Sequence, residues 1–231
     1  MHLSAMLNCK LFFDTYGKYF LSNEEVNVIE IGSQDVNGSL RTVTPTTFKY
    51  TGVDFVEGKG VDVILNDPYK LPFESNSADI IVSSSCFEHS EMFWLVYLEI
   101  MRVLKPKGLF YLNVPSNGNF HRYPLDCWRF YPDSGKALVT WGRRNQINSS
   151  LLESYISKQM ASDQWNDFVA VYLKDEAYAD LFIDRIINSN PNFQNGTSYG
   201  VEEVIKFSEK SEDHAKLAII SQIATSQVKI T

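Results

Sequence analysis

The sequence predicts an α/β protein with a doubly wound, mostly parallel seven-stranded sheet, an antiparallel last strand and helical additions at both ends. Five short apolar segments alternate with helical or turn segments, which is typical of a parallel sheet. Two more follow, and the short link between them indicates an antiparallel hairpin. The predicted strands are Asn27–Ile31, Tyr50–Phe55, Val61–Leu65, Asp79–Ser83, Leu109–Val114, Leu151–Gln159 and Trp165–Lys174.

Helical spacing of apolar residues predicts helices at 2–21, 93–104 and 133–141, and a largely helical segment after residue 175. The chain then divides into an N-terminal helical segment (1–25), a central domain (26–175) and a C-terminal helical extension (176–231). The first helix either packs on the edge of the sheet or forms a lid. In the second case Tyr16, Tyr19 or Phe20 closes over a ligand.

Composition restricts the possible partners. The 231 residues are 44% hydrophobic, enough for a sizeable core. A formal net charge of −7 argues against nucleic acid and anionic membranes, because phosphate binding needs basic patches. No apolar run approaches the roughly 20 residues of a membrane span, and we expect no signal peptide. Three widely spaced cysteines, Cys9, Cys86 and Cys127, fit reduced thiols in a cytoplasmic protein.

The chain is organised around the stretch from Val26 to Ser39, V-N-V-I-E-I-G-S-Q-D-V-N-G-S. A buried strand ends near Glu30, breaks at Gly32 and continues as a predicted helix behind Ser39. Strand, glycine turn and helix together form a common cofactor cradle in α/β proteins. A dinucleotide turn, G-x-G-x-x-G, is disfavoured because Gln34 and Val36 stand where small residues are needed. A phosphate-binding P-loop motif is absent.

Two acidic residues follow at the carboxyl edge of the predicted sheet. Asp54 lies close to the spacing of roughly 20 residues that separates a glycine turn from a ribose-binding acid. Asp67 follows the third strand and is placed to accept from the exocyclic amine of an adenine. Both also fit ordinary turn positions, since Asp is common in turns.

A loop at residues 115–135, P-S-N-G-N-F-H-R-Y-P-L-D-C-W-R-F-Y-P-D-S-G, is dense in polar and aromatic side chains. Loops of this length are usually functional or disordered, and the aromatic content argues against disorder. Alternatively, buried Arg–Asp pairs and a satellite hydrophobic cluster hold the loop in place.

Several motifs in order resemble the class I S-adenosylmethionine-dependent methyltransferases, and within them the methyltransferase-11-like small-molecule subgroup. They are E-I-G-S-Q-D-V-N-G-S, Y-T-G-V-D-F, N-D-P-Y-K-L-P-F-E-S-N-S-A-D-I-I-V-S-S, F-E-H and E-I-M-R-V-L-K-P-K-G-L-F-Y-L-N-V-P. The resemblance covers about residues 26 to 115, and the closing hairpin fits the same fold. The loop F-H-R-Y-P-L-D-C-W-R-F-Y-P-D-S-G looks like that of a glycan-related subgroup.

The resemblance implies S-adenosyl-L-methionine as cofactor and S-adenosyl-L-homocysteine as product. It places Glu30 and Gly32 at the methionine moiety and Asp54 at the ribose hydroxyls. It also implies contacts of Asp67 with the adenine amine and of Ser83 and Ser84 with the methyl-donor side. The chain departs from the family pattern G-x-G-x-G, because only Gly32 remains and Gly38 comes later. We expect a variant turn that uses Asn37-Gly38.

The expected function is O-methylation of a small-molecule or glycan acceptor. Transfer to a hydroxyl needs a base with a pKa near neutrality, and His121 is favoured over His89 because it lies in the acceptor loop. Asp126 would orient the base or bind acceptor hydroxyls. The other predicted substrate-binding residues are Arg122 and Arg129 for an anionic group, and Tyr123, Trp128 and Tyr131 for the acceptor, with Trp128 and Tyr131 stacking on its ring.

Other interpretations remain open. Glu88, His89, His121 and Asp126 show no recognised metal-binding spacing, so the sequence predicts no metal site. The incomplete glycine turn leaves a non-catalytic S-adenosylmethionine-binding module as the alternative function, with a Rossmann oxidoreductase behind it. Residues 176–231 would cap the pocket or form a homodimer interface.

Overall fold

The computed structural model describes residues 2–160, 164–210 and 214–225. Its strands form one nine-stranded sheet in the order β3-β2-β1-β4-β5-β7-β6-β8-β9. The strands are β1 (Asn27–Ile31), β2 (Lys49–Asp54), β3 (Val63–Ile64), β4 (Ala78–Ser84), β5 (Leu104–Pro115), β6 (Ser150–Ser157), β7 (Asp167–Leu173), β8 (Phe193–Ser198) and β9 (Val201–Ile205). The helices are α1 (Leu3–Tyr16), α2 (Phe93–Val103), α3 (Ser134–Arg144), α4 (Ile186–Ser189) and α5 (His214–Ala224).

The first five strands confirm the predicted doubly wound parallel sheet. β1 pairs in parallel with both β2 and β4, and β4 pairs in parallel with β5. The chain therefore builds outward from β1 to β3 and then returns to the other side of β1. This reversal creates a crevice at the carboxyl ends of β1 and β4, where open α/β sheets bind ligands. β7 runs antiparallel to both β5 and β6, as the predicted hairpin requires.

The prediction of a largely helical segment after residue 175 was wrong, because two strands form there. β8 and β9 extend the expected seven-stranded sheet to nine strands, and β8 pairs antiparallel with β6. The hydroxyls of Ser154 and Thr197 lie 2.8 Å apart across that pair. Residues 196–200 include the end of β8 and the turn into β9, with which β8 pairs antiparallel. Among the described residues of this segment, helix is found only at 176–181, a 3₁₀ helix, and in α4 and α5.

Helix α1 covers one face of the sheet, so the predicted helix is present but its place differs from both expectations. Phe12 packs on Tyr111 of β5 with ring centroids 4.9 Å apart. The Tyr16 hydroxyl donates to Glu153 Oε1 of β6 at 2.6 Å. Both aromatic side chains are fully buried. The helix is therefore a structural layer over the middle of the sheet, neither at its edge nor a lid.

The connection from β1 to β2 contains no α-helix, contrary to the prediction behind Ser39. It has a three-residue 3₁₀ helix, Leu40–Thr42, in which the Ser39 hydroxyl accepts from Arg41 N at 3.3 Å. Leu40 is fully buried in the apolar cluster that includes α1 residues. The N-terminal helix thus supplies cover that the short crossover lacks. No helix in the described residues has the length and apolarity to span a bilayer.

Candidate active site

The predicted ligand-binding residues gather at the crevice between β1 and β4. Gly32 follows β1, Asp54 ends β2, and Ser83 and Ser84 end β4. In the sheet, Ile31 pairs with Val53 on one side and with Ser83 on the other. The sequence prediction that these residues share one edge is therefore confirmed by the strand pairing.

The turn after β1 is a variant of a glycine-rich turn. Gly32 has a φ of 80°, and its N–H donates to Val53 O at 3.0 Å. A Cβ on Gly32 would lie 2.7 Å from both Cβ and Sγ of Cys86, so no larger residue fits. Gly38 has a φ of 128°, and its N–H donates to Asp35 Oδ1 at 2.8 Å. The turn therefore uses Gly38, as expected, with Asp35 closing it.

Asp54 has the chemistry for ribose binding. Its carboxylate is 7% exposed, and Oδ2 accepts from Gln34 N at 3.1 Å. Oδ1 accepts from Phe55 N at 2.8 Å and Val56 N at 3.4 Å. A carboxylate has about four acceptor positions, so these three neutral donors leave room on Oδ2 for a hydroxyl. Asp54 thus keeps one acceptor position at the carboxyl end of β2, and its contact with a ribose stays a prediction.

The other predicted cofactor contacts have mixed surroundings. Glu30 is buried under Tyr50, whose hydroxyl donates to Oε2 at 2.6 Å, and burial raises the pKa of Glu30 to about 7. Asp67 is exposed, and its Oδ1 accepts from Tyr69 N at 2.8 Å, as in a turn. Ser83 donates to Ile31 O at 3.0 Å. Contacts of these residues with a cofactor stay predictions.

The predicted acceptor loop is held by one ion pair. Arg129 contacts Asp126 through two bonds, Nη1 to Oδ1 at 2.6 Å and Nη2 to Oδ2 at 2.9 Å. This hydrogen bonding lowers the pKa of Asp126 to about 2. Asp126 Oδ2 also accepts from His121 N at 2.7 Å. The alternative of a buried Arg–Asp pair holding the loop is thus present, and both groups are engaged within the protein.

The loop brings the two candidate bases together. The rings of His89 and His121 lie 5.0 Å apart in an edge-to-face arrangement. Each Nδ1 contacts a backbone carbonyl: that of His89 meets Leu125 O, and that of His121 lies 3.1 Å from Asn119 O. A carbonyl only accepts, so each Nδ1 carries the hydrogen in these contacts, and in the neutral imidazole the lone pair is then on Nε2. Burial lowers the pKa of His89, which favours its neutral form.

The remaining predicted acceptor residues differ in accessibility. Tyr123 and Tyr131 are more than half exposed, and Arg122 is also exposed. Trp128 is partly covered: its indole packs against Phe93 and its Nε1 donates to Ser90 O at 2.9 Å. Only part of this ring is open to stack on an acceptor.

Sequence reasoning assigned no role to Glu88, although F-E-H was among the matching motifs. Glu88 is 1% exposed, and its Oε1 lies 3.7 Å from His89 Nε2. Burial raises the pKa of Glu88 to about 8. The backbone N–H groups of Cys127 and Trp128 donate to Glu88 O, tying the loop to the end of β4.

A second missed contribution comes from distant residues. The Trp165 ring lies 5.0 Å from that of His121, and His2 stacks on Trp165 at 5.7 Å. His2 Nε2 also lies 3.1 Å from the carboxylate of Asp167 at the start of β7. No local pattern in the sequence signals these contacts, because they join the two ends of the domain.

Comparisons with protein-family models and solved structures identify the kind of domain to which this sheet and its strand-end residues belong. A family model described as a methyltransferase domain matches residues 36–112, which include β2 to β4, most of β5 and Asp54. The chain therefore carries the domain of an S-adenosylmethionine-dependent methyltransferase. Its cofactor is S-adenosylmethionine, as the sequence resemblance implied. No curated protein matches the chain in sequence.

Solved structures share the Rossmann-like fold of this methyltransferase. The 1,6-didemethyltoxoflavin-N1-methyltransferase of Burkholderia thailandensis, with bound S-adenosylhomocysteine, is 14% identical with a TM-score of 0.54, covering 75% of this chain and 79% of its own. The YcgJ protein of Bacillus subtilis is 16% identical with a TM-score of 0.50, covering 71% and 99%. The [4+2]-cyclase SpnF is 14% identical with a TM-score of 0.50, covering 72% and 81%.

Proposed function

We propose that this methyltransferase methylates an oxygen of a small-molecule or glycan acceptor that binds against residues 116–132. The observation that carries the proposal is the pair of histidines, His89 and His121, whose rings lie 5.0 Å apart beside the carboxyl ends of β4 and β5. A hydroxyl acceptor must lose a proton, and an imidazole with a free Nε2 is suited to take it. S-adenosylmethionine, when bound, supplies an electrophilic methyl group.

The roles proposed for the side chains follow from their contacts. His121 accepts the hydroxyl proton at Nε2, while Asn119 O and Asp126 fix the ring through Nδ1. Arg129 positions Asp126 rather than binding the acceptor directly. The exposed Tyr123 and Tyr131 rings offer stacking surfaces for a sugar, and the exposed Arg122 suits an anionic group on it.

The residues at the carboxyl ends of β1, β2 and β4 are proposed to bind and orient the cofactor. Asp54 holds the ribose, Asp67 contacts the adenine amine, and Glu30 and Gly32 border the methionine end. Ser83 and Ser84 border the methyl-donor side. These side chains align the donor with the acceptor, and alignment of the reacting atoms is the main contribution of a protein to such a displacement.

A donor-binding experiment tests the cofactor edge first. S-adenosylhomocysteine at about 100 times its Kd adds about 2.7 kcal/mol of stability, or a Tm rise of roughly 5–10 °C for a chain of this size. Asp54→Ala removes charge-assisted hydrogen bonds and is expected to weaken binding roughly 10- to 100-fold in calorimetry. Asp133→Ala, an exposed residue, is the matched control. Unchanged affinity in Asp54→Ala would contradict the ribose assignment.

A transfer assay then tests the acceptor chemistry. Labelled S-adenosylmethionine is supplied with a panel of hydroxyl-bearing small molecules and glycans, and with nitrogen acceptors. We expect transfer to oxygen and a loss of roughly 10²- to 10⁴-fold in kcat for His121→Gln. Transfer confined to nitrogen would overturn the O-methylation proposal, and donor binding without any transfer would support the non-catalytic alternative.

The latter alternative has one observation in its favour. A [4+2]-cyclase shares the fold, so the fold alone does not assign methyl transfer.

We also propose a cytoplasmic location and a homodimer through residues 176–231. Exposed apolar side chains on α5, Leu217, Ile219 and Ile220, support the dimer.

A further inference from the structure

The strongest unassigned feature is the side-chain cluster formed by Glu88, His89 and His121. One ligand atom from each of these residues lies within 4.8 Å of the other two. Two imidazoles and one carboxylate are a common ligand set for divalent transition metals, in zinc enzymes and in non-haem iron sites. The sequence predicted no metal site from these residues, because α2 and β5 separate His121 from the other two and leave no recognised spacing.

The first argument for a ligand is the state of Glu88. Its side chain is 1% exposed, and Oε2 has no hydrogen-bond partner within the part of the chain that the structure describes. A buried carboxylate oxygen without a partner is costly. The neighbouring cation, Arg129, is committed to Asp126 by two hydrogen bonds. Glu88 Oε2 is therefore an enclosed oxygen that Arg129 does not occupy and that is open to bind a cation.

The second argument is the orientation of both imidazoles. Metal-binding histidines usually donate their other ring N–H to a carbonyl or a carboxylate, which fixes the ring. His89 meets this condition through Leu125 O, and its Nε2 faces Glu88 Oε1 at 3.7 Å. His121 meets it through Asn119 O at 3.1 Å, with Asp126 Oδ2 at 3.5 Å. Asp126 is thus an outer partner.

The third argument is access. The His121 side chain is 37% exposed and that of His89 is 12% exposed, whereas Glu88 is enclosed. A cation held here would have three protein ligands and an open side toward the acceptor loop. Catalytic zinc sites share this arrangement, with water or substrate in the fourth position.

We propose that Glu88, His89 and His121 bind one divalent transition metal ion, with Zn²⁺ or Fe²⁺ as the class of cation. The binding itself does not depend on the proposed function, but one consequence rests on it. A hydroxyl coordinated at the open position would lose its proton to solvent more readily, because a bound cation lowers the pKa of its oxygen ligands. His121 would then act as a ligand and not as the base.

The test uses the untagged full-length chain, stripped with a chelator and dialysed. Zn²⁺ is titrated by calorimetry, Co²⁺ is followed by its visible absorption bands, and Fe²⁺ is titrated without oxygen. We expect one equivalent per chain. Glu88→Gln and His121→Gln should each weaken binding roughly 100-fold or more, and Asp126→Asn roughly 10- to 100-fold as an outer partner.

Matched controls come from the same chain. Glu91→Gln and His214→Gln change the same residue types at exposed positions elsewhere. Cys127→Ser removes an exposed thiol, a type of group that can bind metals. All three should bind as the wild type does. His121→Gln lies on a surface loop, so it keeps the test valid should Glu88→Gln fail to fold.

Three results would overturn the inference: no binding by the wild-type chain, unchanged affinity in His121→Gln, or loss of binding in Cys127→Ser. Preference for Fe²⁺ over Zn²⁺ would support the site and name its metal. Because binding is read without methyl donor or acceptor, an enzyme that binds metal but is fully active without it would overturn only the role of the metal in deprotonating the acceptor. Metal binding without methyl transfer would overturn only the proposed function.

Discussion

Gly32 shows how much one backbone position depends on the residues around it. Its positive φ suits glycine, and Cys86 occupies the space where any side chain would begin. The sequence indicated that Gly32 is the surviving glycine of a cofactor turn. It could not indicate Cys86, because that contact forms only when β1 and β4 pair.

We expect Gly32→Ala to lower the free energy of unfolding by roughly 2–4 kcal/mol, which combines backbone strain with overlap against Cys86. Gly200→Ala is the matched control, since Gly200 has a φ of 77° with nothing within 4 Å of an added Cβ. Gly200→Ala should lower the free energy of unfolding by the backbone strain alone, about 1–2 kcal/mol. Urea unfolding measures both variants, and equal losses would contradict a steric role for Cys86.

Single residues of the candidate site were predictable to different degrees. Asp54, His89 and His121 follow strands or lie in a loop that the sequence marks clearly, so their shared edge could be inferred from a parallel sheet. The residues that hold these side chains in place could not be predicted from the sequence. Trp165 and His2 reach His121 through tertiary packing, and the enclosure of Glu88 depends on the acceptor loop folding over it.

At the level of elements, α1 covers a face of the sheet. The short β1–β2 connection has no α-helix and does not cover that face. Its buried side chains contact β5, β6 and β7, and its exposed face carries Leu3 and Leu7. The periodicity predicted the helix, but its weak amphipathic pattern did not identify the strands beneath it.

Truncating the buried face of α1 should be costly. Phe12→Ala leaves a cavity over Tyr111 and is expected to reduce the free energy of unfolding by about 3–5 kcal/mol. Leu3→Ala, at a side chain that is 58% exposed, should change it by less than about 0.5 kcal/mol. Chemical denaturation compares them. A small effect of Phe12→Ala would contradict the assignment of α1 as a core layer.

The C-terminal strands show where sequence patterns are insufficient. The segment F-Q-N-G-T-S in β8 is poor in strand-forming residues, and V-E-E-V-I in β9 contains helix formers. Pairing with β6 decides the conformation, and β9 follows as a mostly exposed strand. Local propensity gives way here to a tertiary contact that the sequence does not reveal.

At the scale of the whole molecule, buried carboxyl groups make stability depend on pH. Burial raises the pKa of Glu30 from 4.5 to about 7, so the folded state holds its proton more tightly than the unfolded chain. The contribution of Glu30 is therefore most favourable below about pH 4.5. It declines as the pH rises toward 7 and stays unfavourable above that value.

Glu30→Gln removes this titration and keeps an acceptor for the Tyr50 hydroxyl. Relative to the wild type, the variant should gain up to about 3 kcal/mol in free energy of unfolding between pH 5 and pH 8. Unfolding curves across that range measure the difference, with the exposed Glu24→Gln as control. A constant difference at all pH values would show that Glu30 does not titrate in this window.

The position of α1 also bears on synthesis at the ribosome. The helix is made well before the strands that it packs on: the Tyr16 hydroxyl donates to Glu153, and the Ser4 hydroxyl donates to Asp167, 163 residues downstream. At about 5–20 residues per second, the apolar face of α1 stays uncovered for roughly 8–30 s. Nascent chains of this protein are therefore expected to be chaperone clients until β7 has left the exit tunnel.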